Sequence, residues 1–249
     1  MHCDATAITV KNLTYRYPDD TLALDGVSFE IQHGQRVALL GPNGAGKSTL
    51  IGHLNGITLA QSGEVLIEEV PIVPATVHDV RTRVGVVFQD PDNMLFMTSI
   101  GDDIAFGPLN MKFDKQEVAQ RVDRVLEAMN ITDLKDKPGM HVSFGQKKRA
   151  ALASVLSMEP AVLILDEPTS NLDPRAKREM TELVSSLDVT LVIATHDMDL
   201  AWAMCDHALV LDQGRVVAYG PAHDLMRNAA LMEAHGLEVP LAARMGCVG

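Results

Sequence analysis

Gly41-Pro42-Asn43-Gly44-Ala45-Gly46-Lys47-Ser48-Thr49 packs glycines, a lysine and two hydroxyls into one short stretch. Glycine at 41, 44 and 46 lets the backbone curl until successive N–H groups converge on an anion. Lys47 can then reach the β- and γ-phosphates of a nucleotide, and the Ser48 hydroxyl can sit on Mg²⁺. Further along, Val162-Leu163-Ile164-Leu165 delivers two carboxylates, Asp166 and Glu167. Asp166 would hold Mg²⁺, directly or through water, and Glu167 would polarise a water aimed at the γ-phosphate. His196 follows Leu191-Val192-Ile193-Ala194 and Thr195, where it could hydrogen-bond the γ-phosphate or the attacking water. Gln89 ends a third apolar run, Val84-Gly85-Val86-Val87-Phe88. The pattern G-x-x-x-x-G-K-S between strand and helix predicts a nucleoside triphosphate site.

These residues need a scaffold. Arg36-Val37-Ala38-Leu39-Leu40 predicts a buried strand, and Leu50-Ile51-Gly52-His53-Leu54 the first turns of a helix closing at Asn55-Gly56. That helix turns its positive end on the loop. The other apolar runs read as core strands, so their polar ends meet where open α/β sheets bind ligands. Between Ile8 and about Glu68, alternating runs at Ile8–Tyr17, Val27–Ile31 and Val65–Ile67 predict a short antiparallel sheet. Tyr17, before Pro18-Asp19-Asp20, either stacks on an adenine ring or is an ordinary half-buried strand aromatic.

Residues 91–157 read as a mostly helical insertion with an exposed acidic face. Asp114 and Glu117 look like a cap, and Val118, Val122, Val125, Leu126 and Met129 recur at helical spacing. Met94, Met97, Met111 and Met129 read as core filler. Ser143 with Gln146 fits a capping box. The cations that follow, Lys147-Lys148-Arg149, sit where the helix dipole disfavours them, so they are either solvated or near an anion. Asp173-Pro174 caps a helix with Met180, Leu183, Val184 and Leu187 inward. Ala208–Leu211 and Val216–Ala218 form a hairpin across Asp212-Gln213-Gly214, and from Pro221 a short helical stretch ends in a mobile terminus.

The chain has 249 residues and a net charge of −12, which disfavours nucleic-acid partners and a polybasic lipid anchor. No apolar run approaches membrane-spanning length, and the start, Met1-His2-Cys3-Asp4-Ala5, is not that of a secretory leader. A soluble protein follows, reaching any membrane through a protein partner. Cys3, Cys205 and Cys247 are scattered, which suggests a reducing compartment.

Taken in order, these motifs resemble the nucleotide-binding subunit of ABC (ATP-binding cassette) transporters along nearly the whole chain. Gly41–Thr49 is similar to the Walker A loop, Val162–Glu167 to Walker B and Gln89 to the Q-loop. Asp173 is similar to the D-loop aspartate, His196 to the switch histidine and Tyr17 to the adenine-stacking aromatic. Val142-Ser143-Phe144-Gly145-Gln146 stands where the family reads L-S-G-G-Q, with Phe144 in place of a glycine.

The resemblance implies an α/β fold: a P-loop (RecA-like) core, an antiparallel β subdomain and a helical signature subdomain. The core lobe would span about 1–90 and 158–220, the helical part about 91–157 and a tail 221–249. It implies ATP and Mg²⁺ as cofactors. Tyr17, Gly41, Asn43, Gly44, Gly46, Lys47, Ser48 and Thr49 would hold ATP, and Ser48, Gln89 and Asp166 the metal. Glu167, His196 and Gln89 would be catalytic. Two copies, or a copy and a related ATPase, would meet head-to-tail, so that Ser143, Gly145, Gln146 and Asp173 act on the other subunit's nucleotide.

Phe88–Asn93, Ala105–Asn110 and Glu233–Glu238 resemble the ATPase of energy-coupling-factor importers, of cobalt/nickel type. That implies an integral membrane coupling subunit docking near Gln89–Ile104, with Asp90 and Asp92 suited to its arginines. A substrate-binding membrane subunit would be reached indirectly, and the chain would sit peripherally on the cytoplasmic face of the cell membrane. DNA-repair and translation relatives would need a coiled-coil or zinc insertion, or a second cassette, and neither is present. Cys205 with His207, or His2 with Cys3, falls short of a tetrahedral metal site.

Overall fold

The computed structural model describes residues 5–245. His2, Cys3 and Cys247 lie outside them. The chain opens with β1 (Thr6–Arg16) and β2 (Leu22–Gln32); buried and exposed side chains alternate from Val27 to Ile31 of β2, as in a half-buried sheet. Then come β3 (Arg36–Leu40), α1 (Lys47–Leu54), β4 (Ser62–Ile67), β5 (Val70–Pro71), α2 (Val77–Arg83) and β6 (Val84–Val87). Next are α3 (Ile100–Asn110), α4 (Lys115–Ala128), α5 (Phe144–Leu156), β7 (Val162–Asp166), α6 (Pro174–Ser185) and β8 (Thr190–Ala194). The chain continues through α7 (Met198–Met204), β9 (His207–Asp212), β10 (Arg215–Pro221), α8 (Ala222–Arg227), α9 (Ala229–Ala234) and α10 (Leu241–Arg244).

Contacts group the chain into two compact units. The first holds the described residues up to Val84, then Ala161–Asp166, then those from Asp188 onward. One of its sheets runs β2-β1-β4-β5, antiparallel, with Val10 opposite both Phe29 and Val65. The other runs β10-β9-β3-β8-β7. Strands β9, β3, β8 and β7 are parallel, and β10 closes the edge antiparallel to β9. Parallel strands are covered on both faces, which is why β7 and β8 are unbroken Val/Leu/Ile runs buried almost throughout.

The segment after Pro221 is more than the single helical stretch expected. Helices α8, α9 and α10 belong to this unit, with Ala222, Met226 and Met232 fully buried. His235 Nδ1 lies 2.8 Å from Asp212, and Asp199 accepts from the Leu241 N–H at 2.8 Å.

The second unit comprises Gly85–Pro160 and Glu167–Leu187. Thus α6 and the turn before it group with the helical segment; the sequence places about 158–220 with the core lobe. Ile100 and Ile104 of α3, Val118, Val122 and Leu126 of α4, and Ala150 and Ala151 of α5 form its core. Three of its helices are capped as the sequence suggests. Asp114 accepts from Gln116 and Glu117 N–H, Asp173 from Arg175 and Ala176 N–H, and Ser143 with Gln146 closes a reciprocal box.

One expectation fails here. Of the four methionines only Met129 is core; Met94 and Met111 are half-buried, and Met97 is exposed because it precedes α3 and falls outside any helical period. Of the two alternatives for the cations, the nearby anion is the one found at Lys147 and Arg149. Lys147 pairs with Asp92 at 2.6 Å, Lys148 is buried, and Arg149 pairs with Glu179 of α6.

Candidate functional site

In the first unit, β3 ends at Leu40 and the chain turns at once. Gly41 (φ 151°) and Gly46 (φ 104°) occupy left-handed backbone conformations. A Cβ at 41 would stand 2.1 Å from the Leu211 carbonyl oxygen, and one at 46 would stand 2.7 Å from that of Ala23. The β9–β10 turn braces the loop. Gly214 N–H donates to the Ala45 carbonyl at 3.0 Å, and its own carbonyl accepts from Asp25 N–H at 2.8 Å. Arg215 pairs with the Asp25 carboxylate. The hairpin is visible in the sequence, but its service to the loop is not, because the partners lie about 170–190 positions apart.

Lys47 Nζ arches back over the loop, donating to the Gly41 carbonyl at 2.6 Å and the Pro42 carbonyl at 3.0 Å. Asn43, Gly44 and Ser48 are exposed. Tyr17, 42% exposed, shares a 2.7 Å hydrogen bond between its hydroxyl and that of Thr49. Its ring meets Tyr15 edge-on at 5.3 Å, and Tyr15 meets His53 at 4.8 Å. His53 Nδ1 donates to the Thr49 carbonyl at 2.7 Å, and burial holds its pKa below the usual histidine value. A line of rings thus runs from α1 to the exposed Tyr17, flanking the loop.

Asp166 ends β7 in register with Ala194, and Ala194 is also in register with Leu39 of β3. His196 is exposed two residues beyond β8. Its turn is shaped by buried Thr195, whose Oγ1 accepts from Asp197 N–H at 3.0 Å, while Asp197 caps α7 through Leu200 N–H. Lys47, Ser48, Asp166 and His196 therefore gather at the carboxyl ends of neighbouring parallel strands, where nucleotide phosphates bind in such sheets.

Ser48 and Asp166 are hard oxygen donors suited to Mg²⁺, which is typically held by one or two carboxylates plus substrate phosphates. Among the described residues no group of three or more His, Cys, Asp or Glu forms a metal cage. The glycine loop, its lysine and this donor pair fit MgATP.

The remaining predicted residues lie in the second unit. Glu167 directly follows Asp166 with φ 48°, a region that non-glycine residues rarely adopt. Its carbonyl accepts from Ser170 N–H, from Ser170 Oγ at 2.9 Å and from Lys148 Nζ at 2.7 Å. Ser143 is exposed at the start of α5. Its Oγ accepts from Gln146 N–H at 3.3 Å, and the Gln146 side chain accepts from Ser143 N–H at 2.9 Å. Phe144 turns its ring toward Lys148, 5.7 Å from Nζ. A Cβ at Gly145 would meet only ordinary contacts, Leu172 at 3.6 Å and Ala176 at 3.7 Å. Ser143, Gly145, Gln146 and Leu172 help line a cavity of about 220 Å³. Asp173 is exposed at the cap of α6, and Gln89 is exposed after β6.

Asp92 pairs through Oδ1 with Lys147 at 2.6 Å and keeps its side chain 60% exposed. Asp90 accepts from Asp92 N–H. The accessible feature beside them is apolar. Phe96 (63% exposed) and Phe106 (45%) meet edge-on at 5.1 Å, with Met97 and Leu109 also exposed. Buried Asp103 holds that segment, accepting from Phe96 and Met97 N–H at 2.9 Å each, and burial raises its pKa.

The family profile described as ABC transporter matches residues 24–170. The energy-coupling factor transporter ATP-binding protein EcfA of Carboxydothermus hydrogenoformans is 46% identical over 242 residues, covering 96% of this chain and 89% of that protein. CbiO1 of Clostridium perfringens, described as part of the ABC transporter complex CbiONQ, superposes with a TM-score of 0.82 at 40% identity. That match covers 98% of this chain and 100% of that one. An ATP-binding cassette dimer in a post-hydrolysis state, bound to ADP and Pi, gives a TM-score of 0.77 at 25% identity over 86% of this chain and 98% of its own.

Proposed function

The chain belongs to the ABC transporter family, and from that premise we propose that it is the ATPase of an energy-coupling-factor importer for cobalt or nickel ions. As a family member it is an ATP-hydrolysing transporter subunit using ATP and Mg²⁺. The gathering of Lys47, Ser48, Asp166 and His196 at one set of strand ends carries the ATPase reading.

Tyr17 stacks on the adenine. The amides from Gly41 to Thr49, Asn43, Gly44 and Gly46 among them, cradle the phosphates with Lys47. Ser48, Asp166 and Gln89 would hold Mg²⁺, whose charge would offset that of the β- and γ-phosphates. Glu167 takes a proton from water as the water oxygen attacks the γ-phosphorus and the bond to the bridging oxygen breaks, leaving ADP and phosphate. His196 and Gln89 hold the γ-phosphate and the water in line.

Ser143, Gly145, Gln146 and Asp173 serve the nucleotide of a second copy, or of a related ATPase, placed head-to-tail. The exposure of Ser143 and the room beside Gly145 support that role. Closure would assemble donors that neither half completes and exclude bulk water. Phe96, Met97, Phe106 and Leu109 offer an apolar surface for an integral membrane subunit at the cytoplasmic face, consistent with docking near Gln89–Ile104. A substrate-binding membrane subunit would be engaged through that partner. The metal assignment rests on the resemblance of Phe88–Asn93, Ala105–Asn110 and Glu233–Glu238 and on the likeness to a CbiONQ component.

Co-expression with the membrane subunits and reconstitution in vesicles tests the proposal. ATP-driven uptake of Co²⁺ or Ni²⁺ that is lost in Glu167→Gln is expected. ATP-driven uptake of a vitamin with no metal uptake would overturn the substrate, and no co-purifying membrane partner would overturn the importer.

A further inference from the structure

Lys148 sits on α5 one turn beyond its Ser143 cap and is only 4% exposed. A buried ammonium persists only where its donors are used. Its Nζ donates to the Glu167 carbonyl at 2.7 Å and contacts Ser170 Oγ at 3.2 Å. Ser170 sends two further donors to the same carbonyl, its N–H at 3.2 Å and its Oγ at 2.9 Å. Three donors on one oxygen fix the peptide plane after Glu167, at a residue whose φ of 48° few non-glycine residues adopt unaided. Fixing that plane sets the direction in which the Glu167 side chain leaves the backbone. Phe144, four residues before Lys148 and hence on the same helix face, covers the ammonium with its ring.

We propose that Lys148 is a positioning residue for Glu167: from α5 it grips the Glu167 carbonyl and so aims the carboxylate at the attacking water. This rests on Glu167 being the general base. The helix whose first turn would meet one nucleotide thus carries the hold on the base serving another. Phe144, which stands where the resembled signature reads glycine, packs that hold rather than crowding the phosphate.

Lys148→Met keeps the stem and removes the donors. It should lower kcat about 10- to 100-fold, the scale of a misaimed catalytic group, and leave KM for ATP and nucleotide affinity within about threefold. Ser170→Ala, losing one of the three donors, should lower kcat about 3- to 10-fold. Placed in Glu167→Gln, Lys148→Met should cause no further loss of residual turnover, because the two residues act as a unit. Wild-type kcat in Lys148→Met while Glu167→Gln is inactive would overturn the proposal and leave the general base standing. An equal fall in both backgrounds would overturn it as mere structural damage. If Glu167→Gln itself hydrolyses ATP normally, the premise falls instead. Should Lys148→Met fail to fold, Ser170→Ala decides, and wild-type kcat there would overturn the proposal.

Discussion

A methyl group at position 46 would stand 2.7 Å from the Ala23 carbonyl oxygen on a backbone with φ 104°. Space and conformation both forbid it, so Gly46→Ala must deform the loop that presents Lys47. At Gly145 the same methyl meets nothing closer than 3.6 Å within the chain. These two glycines separate two kinds of constraint. Gly46→Ala should lower ATP affinity about 100-fold or more, measured by titration with a fluorescent analogue. Gly145→Ala should fold with unchanged melting temperature and bind ATP as the wild type does, yet lose most turnover, since whatever crowds that position comes from outside the chain. Unimpaired turnover in Gly145→Ala would remove the reason for placing the other subunit's phosphate there. The glycines and Lys47 are legible in the sequence because the loop's chemistry lies within nine consecutive residues. The grip of Lys148 on Glu167 is not, because it joins residues 19 positions apart and leaves no periodic trace.

The elements obey the same division between local and distant. Caps at Asp114, Ser143 and Asp173 satisfy donors within three residues and can be read directly. Core strands can be read because parallel burial demands continuous apolar runs. The pairing of Lys147 with Asp92 spans 55 positions, and the packing of α8 to α10 depends on residues far upstream, so neither has a local signature. The segment before α3 is the clearest case. Phe96 there and Phe106 on α3 are exposed, and Asp103 of α3 holds the backbone at Phe96 and Met97.

Burial raises the Asp103 pKa, so its ionised form is disfavoured in the folded chain relative to the unfolded one. The associated stability is full below the unfolded value of 3.8 and is lost as pH rises through the folded value. Asp103→Asn keeps the Oδ1 acceptor and sheds the charge. Its melting temperature should equal or exceed that of the wild type at pH 7, with the gap narrowing toward pH 4. Asp103→Ala orphans two N–H groups and should cost about 1–3 kcal/mol. Faster amide exchange at Phe96 and Met97 is expected in Asp103→Ala only; unchanged exchange there would show that Asp103 does not hold the segment.

For the molecule as a whole, the residues proposed to hold a nucleotide divide between the two compact units. Lys47, Ser48, Asp166 and His196 belong to one, and Ser143, Gly145, Gln146 and Asp173 to the other. No helix among the described residues is long and apolar enough to cross a membrane. A head-to-tail pair gives that division a purpose, since hydrolysis then requires closure and closure can move a partner. Mixing two inactive variants, Lys47→Ala and Ser143→Arg, puts this arrangement to its most direct test. In a mixed pair, one site carries both lesions and the other carries neither, because the sound loop of one subunit meets the sound α5 of its mate. The account predicts that the mixture hydrolyses ATP well above the sum of its parts; turnover no greater than that sum would contradict it.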